Sequence, residues 1–335
     1  MNSQHVIVGG GLSGLLMARI LKEKQIPFMG LEKSSRLGGR AEWGPHRLLQ
    51  ENSMVRFREM LPEIAWELTQ DEVQERVKGE FQPLKDDYLE AERFYLTSSF
   101  YSAQVPFESL IERMAAPISE SFQLNRSVVK IDGTTKTLSL SDGSEIKFEK
   151  LFWCLDLSLL FKLWQGESLV SPKTVKKLSD RPAGLNLTLE LESALFPSKN
   201  TVVLPFRYKE WKLRALAIPD VNAESQPHRL HWMLFLPKEI LEDKEEVAKC
   251  IRTLKRELQK EFPEITKKIK SEKIIYLPLI SGEGSTQLSS LELTRGVYYL
   301  GPQIYQKEEQ ADLKNIDLLL ANAESLRHRE LTIST

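Results

Sequence analysis

Apolar residues fall along this chain in two regimes. Near the start they form short unbroken runs, Val6-Ile7-Val8 and then Pro27 to Leu31, and a similar run returns from Leu151 to Leu155. Such runs, bounded by turn residues, are the pattern of strands buried on both faces, as in a parallel sheet. Between the first two, Leu12, Leu15, Leu16 and Ile20 recur at helical spacing, so the opening reads as strand, helix, strand. That order predicts an α/β fold with a parallel, Rossmann-type sheet.

Beyond Arg181 strict alternation replaces the runs. Leu185, Leu187, Leu189 and Leu191 share one strand face; Trp211, Leu213, Ala215 and Ala217 share another; Leu230, Trp232, Leu234 and Leu236 a third. Alternation of this kind belongs to half-buried strands and predicts a second, mostly antiparallel α+β unit. A helix over 245–262, with Val247, Ile251, Leu254 and Leu258 on one stripe and Pro263 closing it, is expected to pack on that sheet.

The middle of the chain is mixed. The pattern predicts helices over 54–68, 71–78 and 106–122, and a strand from Ser127. A hairpin follows, with Leu138 and Leu140 against Ile146 and Phe148 around Ser141-Asp142-Gly143-Ser144, because Asp-Gly is a strong turn signal. Tyr88, Phe94, Tyr95, Phe100, Tyr101 and Phe107 stand at mixed spacing and read as core. Near the end, Val297 to Leu300 reads as a strand and Asn315 to Leu326 as a helix.

The candidate chemistry sits where the first strand breaks into glycines. Gly9, Gly11 and Gly14 carry the GxGxxG spacing. The first permits the tight turn, the second lets a pyrophosphate approach the backbone, and the third lets the helix pack on the strand. The helix N-terminus, with Ser13 in its first turn, presents free N–H groups to an anion. Glu32 follows Gly14 by eighteen positions, where a carboxylate can accept hydrogen bonds from ribose hydroxyls and disfavours a 2′-phosphate. Lys33 beside it completes the adenosine end of the candidate set. Gly38 and Gly39 expose N–H groups, and the Arg40 guanidinium can fork onto phosphate oxygens.

The segment EKSSRLGGR, together with this fingerprint, resembles the FAD-dependent amine oxidase superfamily, which includes protoporphyrinogen oxidases, phytoene desaturases and renalase-like proteins. The resemblance implies noncovalently held FAD in a discontinuous domain of residues 1–44, 106–165 and 290–335, with a substrate domain of 45–105 and 166–289. It implies that Gly38, Gly39 and Arg40 meet the FAD diphosphate, that His46, after Gly44-Pro45, lies near the flavin, and that Val128 offers backbone hydrogen bonds to adenine. Gly301 holds the glycine of a Gly-Asp pair beside the ribityl chain, but Pro302 stands where the aspartate belongs, removing a carboxylate and an N–H. Asp312 and Asp317 add negative charge near the start of the last helix, against the anionic reduced flavin. The implied activity is hydride transfer from a small organic substrate to flavin N5, with oxygen or another acceptor closing the cycle. A renalase-like oxidase of reduced nicotinamides and a degenerate, non-catalytic nucleotide-binding protein are the alternatives.

Composition narrows this little further. In 335 residues, 28% are charged and the formal net charge is −1, so nothing calls for a nucleic-acid or anionic-membrane partner. The two cysteines, Cys154 and Cys250, lack metal spacing and are expected as buried, reduced thiols, fitting a cytoplasmic location. No stretch reaches the apolar length of a membrane span.

Overall fold

The computed structural model describes residues 2–39, 48, 50–70, 72–84, 92, 96, 99–167, 169, 183–196, 200–219, 228–241, 243–277, 286–287, 290–301, 304–305 and 315–329. The chain opens with β1 (Asn2–Val8), α1 (Leu12–Glu23) and β2 (Met29–Leu31). β1 and β2 run parallel, Val6 opposite Met29 and Val8 opposite Leu31.

The next stretch departs from the sequence reading. In place of helices over 54–68 and 71–78 stand α2 (Glu51–Met60), β3 (Trp66–Gln70), β4 (Glu72–Val77) and β5 (Glu80–Pro83). Lys78 and Gly79 take φ of 54° and 80°, the two left-handed residues of a tight hairpin turn, where a helix cannot continue. The charges of this stretch have partners on the second unit. Arg76 places its guanidinium 4.4 Å from the Phe81 ring centroid and 5.0 Å from that of Phe262. The Glu261 carboxylate accepts from Lys78 N and Gly79 N at 3.1 and 2.7 Å. Tertiary contact overrides local preference here.

There follow β6 (Ser99–Ala103), α3 (Phe107–Ala115), a 3₁₀ turn (Ala116–Ser121), β7 (Phe122–Gln123), β8 (Val128–Asp132), β9 (Thr137–Leu140) and β10 (Glu145–Trp153). The two strands expected at 146–148 and 151–155 are one. β10 lies parallel to β1 from Lys147 to Trp153, while its other edge pairs antiparallel with β9 at Glu145–Lys147. After α4 (Leu157–Leu163) and β11 (Trp164–Gln165) come the long strands β12 (Ala183–Leu191), β13 (Asn200–Tyr208), β14 (Trp211–Pro219) and β15 (His228–Leu236). Then come α5 (Lys238–Leu241), α6 (Lys244–Glu261), α7 (Ile265–Lys268) and β16 (Ile269–Leu277). The last elements are β17 (Thr286–Gln287), β18 (Glu292–Thr294), β19 (Val297–Tyr299), β20 (Ile304–Tyr305) and α8 (Asn315–Arg329). β19 joins β10 in parallel at Leu151–Trp153, beyond the reach of β9.

Two sheets organise the molecule. One runs β11-β8-β9-β10-β1-β2-β7, with β18 and β19 off β10; the other runs β16-β12-β15-β14-β13-β4-β5. The second is antiparallel throughout except where β4 meets β13. α6 lays Ile251, Leu254 and Leu258 onto the face of the second sheet that carries Leu185, Leu187, Leu189, Ala215, Trp232 and Leu234. Asp243 caps that helix, accepting from Glu245 N at 2.8 Å, which satisfies one of its orphan donors. The stretch 45–105 serves both cores. Leu48, Met54, Phe57, Leu61 and Ile64 pack with β1, α1 and β10, whereas Val73, Leu84 and Leu96 pack on the other face of the second sheet with Val203, Leu216 and Met233. Of the central aromatics, Phe100 is fully buried and Tyr101 and Phe107 pack on the first core; Tyr88, Phe94 and Tyr95 lie outside the described residues.

Charges lock the helices of the first unit. Arg56 on α2 reaches Glu324 on α8 (2.6 Å), Glu59 (2.8 Å) and Glu23 on α1 (3.4 Å), and Arg327 closes the ring to Glu23 at 3.1 Å. Among the described residues no helix is long and apolar enough to cross a membrane.

Candidate functional site

The site is built on the turn from β1 into α1. Gly9 N donates to Leu31 O at 2.9 Å, fixing the turn to the end of the neighbouring parallel strand. Gly14 sits so close beneath it that a Cβ there would fall 1.8 Å from Gly9 O, so no other residue permits this packing. Gly11 is different. Its φ of −76° is ordinary, and the nearest atom to an added Cβ would be Gly39 Cα, 3.8 Å away. Nothing among the described residues requires a glycine there. The space a side chain would fill lies at the mouth of α1, where no side chain caps the helix and no acid occupies the first turn. Those N–H groups and the positive end of the dipole are therefore available to an anion that comes against the backbone. Ser13 is buried in this first turn.

Glu32 stands at the end of β2, buried, and both of its carboxylate oxygens are engaged. Oε2 accepts from Gly10 N at 2.6 Å and Oε1 from Ser34 N at 2.8 Å. The acid thus tethers the glycine turn as well as facing the adenosine position, and each oxygen retains a lone pair for a ribose hydroxyl. Gly10 is the partner the motif does not reveal: it is the unnamed x of GxGxxG, and only the fold brings it to Glu32. Lys33 is exposed. Gly38 N donates to Gly10 O at 2.8 Å, and Gly38 bridges Gly11, so the two glycine segments cross. Gly39, at φ 56°, would bring a Cβ within 2.9 Å of Gly11 Cα. This brings Gly9, Gly11, Ser13, Gly14, Glu32, Gly38 and Gly39 together.

The more distant candidates divide. Val128 is half-buried on β8, at a bulge opposite Leu140. Arg126, two residues earlier, donates its N–H to Glu32 O at 2.9 Å, so this strand does approach the adenosine end. Gly301 follows β19 and is buried, and a Cβ on it would fall 2.3 Å from the Tyr299 hydroxyl; its carbonyl accepts from Asn322 Nδ2 on α8 at 2.9 Å. Asp317 is buried in the first turn of α8, where Oδ1 accepts from Gln50 N, the N-cap of α2, at 3.2 Å. Its charge is therefore turned in part to another helix's positive end. Arg40, His46, Pro302 and Asp312 lie outside the described residues. Cys154 is bound through its N–H to Val8 O at 2.9 Å. Unlike the expectation, the residue is only half-buried, but desolvation by its surroundings pushes the thiol above the ordinary range, so it offers the site no thiolate. Cys250 is buried on α6, and burial followed by nearby Glu246 pushes its thiol up to about 12.

Residues 7–55 match the family described as an NAD(P)-binding Rossmann-like domain. No curated protein sequence matches the chain. Among solved structures, reduced UDP-galactopyranose mutase is similar over 97% of this chain and 95% of its own, at 12% identity and a TM-score of 0.68. The chain has that fold. An oxidoreductase from Methanosarcina mazei matches with a TM-score of 0.68 at 13% identity, over 97% of this chain and 99% of its own. A putrescine oxidase double mutant, made in a redesign of cofactor binding, matches at 10% identity with a TM-score of 0.65 over 98% of each chain. Each likeness extends through both sheets.

Proposed function

We propose that the protein is an FAD-dependent oxidoreductase of the amine oxidase type, acting on a small organic substrate held by the second sheet's domain. The observation that carries this reading is the open place at Gly11, a gap that no described residue accounts for, in front of a helix that no described side chain caps. It suits a diphosphate that replaces a side chain and takes the free N–H groups. In the same reading, Gly10 and Gly38 fix the shape of that cradle, Glu32 receives the ribose of the adenosine, and Arg40 and His46 act at the diphosphate and flavin. FAD held by these residues would supply a hydride-accepting flavin for oxidation of a substrate C–H bond, with oxygen or another acceptor as the final oxidant. The chain's own part is to hold, orient and exclude water.

The domain division belongs to this proposal: 1–44, 106–165 and 290–335 hold the cofactor and 45–105 and 166–289 the substrate, refined by the packing of residues 48–64 into the first core. One observation favours a second reading, a nucleotide-binding protein without turnover: Asp317 keeps a buried carboxylate at the α8 end that would face the flavin. A visible spectrum of the purified protein separates them. Flavin absorbance that bleaches anaerobically with a donor supports the enzyme, and flavin absorbance that resists every donor supports the binding role. A colourless protein that takes up no added FAD would overturn both.

A further inference from the structure

The second sheet has two faces of unlike character. α6 covers the one that carries Leu185, Leu187 and Trp232. Strand alternation turns the intervening residues away from that helix: Asn186 and Thr188 on β12, and Arg229, His231, Met233 and Phe235 on β15. Arg229 shows where this second face looks, because it donates to Glu108 on α3 at 2.8 Å, and α3 packs in the first core through Leu110, Ile111 and Met114. The face is therefore turned toward the unit that carries the glycine cradle.

Three buried polar side chains are set into it: Asn186, Thr188 and His231. Asn186 Nδ2 donates to Thr188 Oγ1 at 3.2 Å and to His231 Nδ1 at 3.1 Å. Those two bonds use both amide hydrogens and fix the plane of the group. Its oxygen is left over. Asn186 is fully buried, and among the described residues Oδ1 has no hydrogen-bond partner. A buried acceptor without a donor costs free energy, and native folds keep few of them. Across the strands from Asn186 stand Met233, then Leu216, then Val203, all fully buried. The unsatisfied oxygen thus lies at the end of an apolar strip.

We propose that Asn186 Oδ1 is the polar anchor for the substrate, with Thr188 and His231 positioning it. The substrate is then an uncharged molecule whose apolar body lies along Met233 and Leu216 and whose hydroxyl or amide N–H meets that oxygen. Met233, unbranched and polarisable, suits the shape of such a body. The trio contains no carboxylate, so an ammonium gains no counter-charge there, and a bare acceptor oxygen repels a carboxylate or phosphate. Selectivity follows from the same atom, because a ligand that lacks the donor leaves it unpaired. That the ligand is a substrate rests on the oxidoreductase reading; the anchor itself does not need the flavin.

The test uses the full chain and three probes of one shape: cyclohexylmethanol, its methyl ether and cyclohexylmethylammonium. The reporter is the methyl resonance of Met233 in methionine-labelled protein, assigned by its loss in Met233→Leu. The parent should bind the alcohol at least about tenfold more tightly than the ether or the ammonium. Asn186→Leu, if folded by circular dichroism, should bring alcohol and ether within about twofold of each other. Asn186→Asp should instead prefer the ammonium, a reversal that a merely structural amide would not produce. Equal binding of alcohol and ether by the parent, a Met233 resonance that no probe moves, or a preference unchanged in both variants would overturn the anchor. Uptake of added FAD, read from visible absorbance in the same samples, judges the flavin reading separately. A chain that takes up FAD but does not discriminate the probes loses the anchor alone, and one that discriminates them without taking up FAD keeps the anchor and loses the oxidoreductase reading.

Discussion

The two sheets solve the same problem by different means. Around the first turn the backbone itself is the working surface, and its shape is enforced by what is missing: a Cβ at Gly14 would fall 1.8 Å from Gly9 O, and one at Gly39 would fall 2.9 Å from Gly11 Cα. In the second sheet side chains carry the design, with Leu185, Leu187 and Trp232 alternating inward beneath α6. Glycine geometry tolerates no side chain at Gly14 or Gly39 but needs little length. Alternation needs four long strands and tolerates exchange of one apolar residue for another of similar size. The contrast teaches that the first region specifies chemistry and the second specifies shape.

The comparison can be broken by substitution. Trp232→Ala, at a fully buried position beneath α6, should cost about 3–5 kcal/mol by denaturant titration, with no effect on dinucleotide affinity in the part that remains folded. Gly14→Ala should cost about 1–3 kcal/mol or more by overpacking, and here binding and stability should fall together. Gly11→Ala sharpens the distinction, because the methyl has room: stability should change by less than about 1 kcal/mol, helped by Ala's reduced unfolded-state freedom, while added FAD should bind at least tenfold more weakly by fluorescence titration. Unchanged FAD affinity in Gly11→Ala would remove the central support for the proposed function.

Glu32→Gln should act more gently than Glu32→Ala. The amide keeps one acceptor for Gly10 N or Ser34 N, so part of the turn survives, whereas alanine frees both donors. FAD retention through size exclusion should rank parent, Gln, Ala. The smallest expected effect lies in the second unit. There the side chain of Lys209, then the Tyr208 hydroxyl and Lys249, hold the Glu246 carboxyl down from 4.5 to about 2. A depressed carboxyl stabilises the fold above its ordinary range, and that contribution is lost as pH falls from about 4.5 toward about 2. Melting curves across this window should show a shallower acid slope in Glu246→Gln than in the parent.

What could be read from the sequence follows the same division. The β1 run, the glycines and Glu32 are local signals whose meaning is set within about thirty residues, and the structure brings them together. The strand faces from Leu185 to Leu236 were equally legible, because alternation depends only on which side is buried. The stretch from Trp66 to Val77 was not. Its strand character depends on Arg76 meeting Phe262 and Glu261, nearly two hundred residues away, and the two-residue turn at Lys78-Gly79 lacks the Asn or Asp that flags a hairpin. The hold of Glu32 on Gly10, the contact of Asp317 with Gln50 and the Arg56 ring were illegible for the same reason: each joins elements that only the completed fold makes neighbours.

The double pairing of β10 has a consequence for how the chain is made. Its long partner is β1, Val6 to Leu151 and Val8 to Trp153, so once β1 is made it must wait for about 145 further residues. At about 5–20 residues per second that is roughly 7–30 seconds. During this interval Val6, Ile7 and Val8 have only the three residues of β2 for a sheet partner. Nascent chains whose Trp153 is still inside the exit tunnel should therefore be the ones most strongly held by chaperones, and release should come abruptly once Trp153 has cleared it.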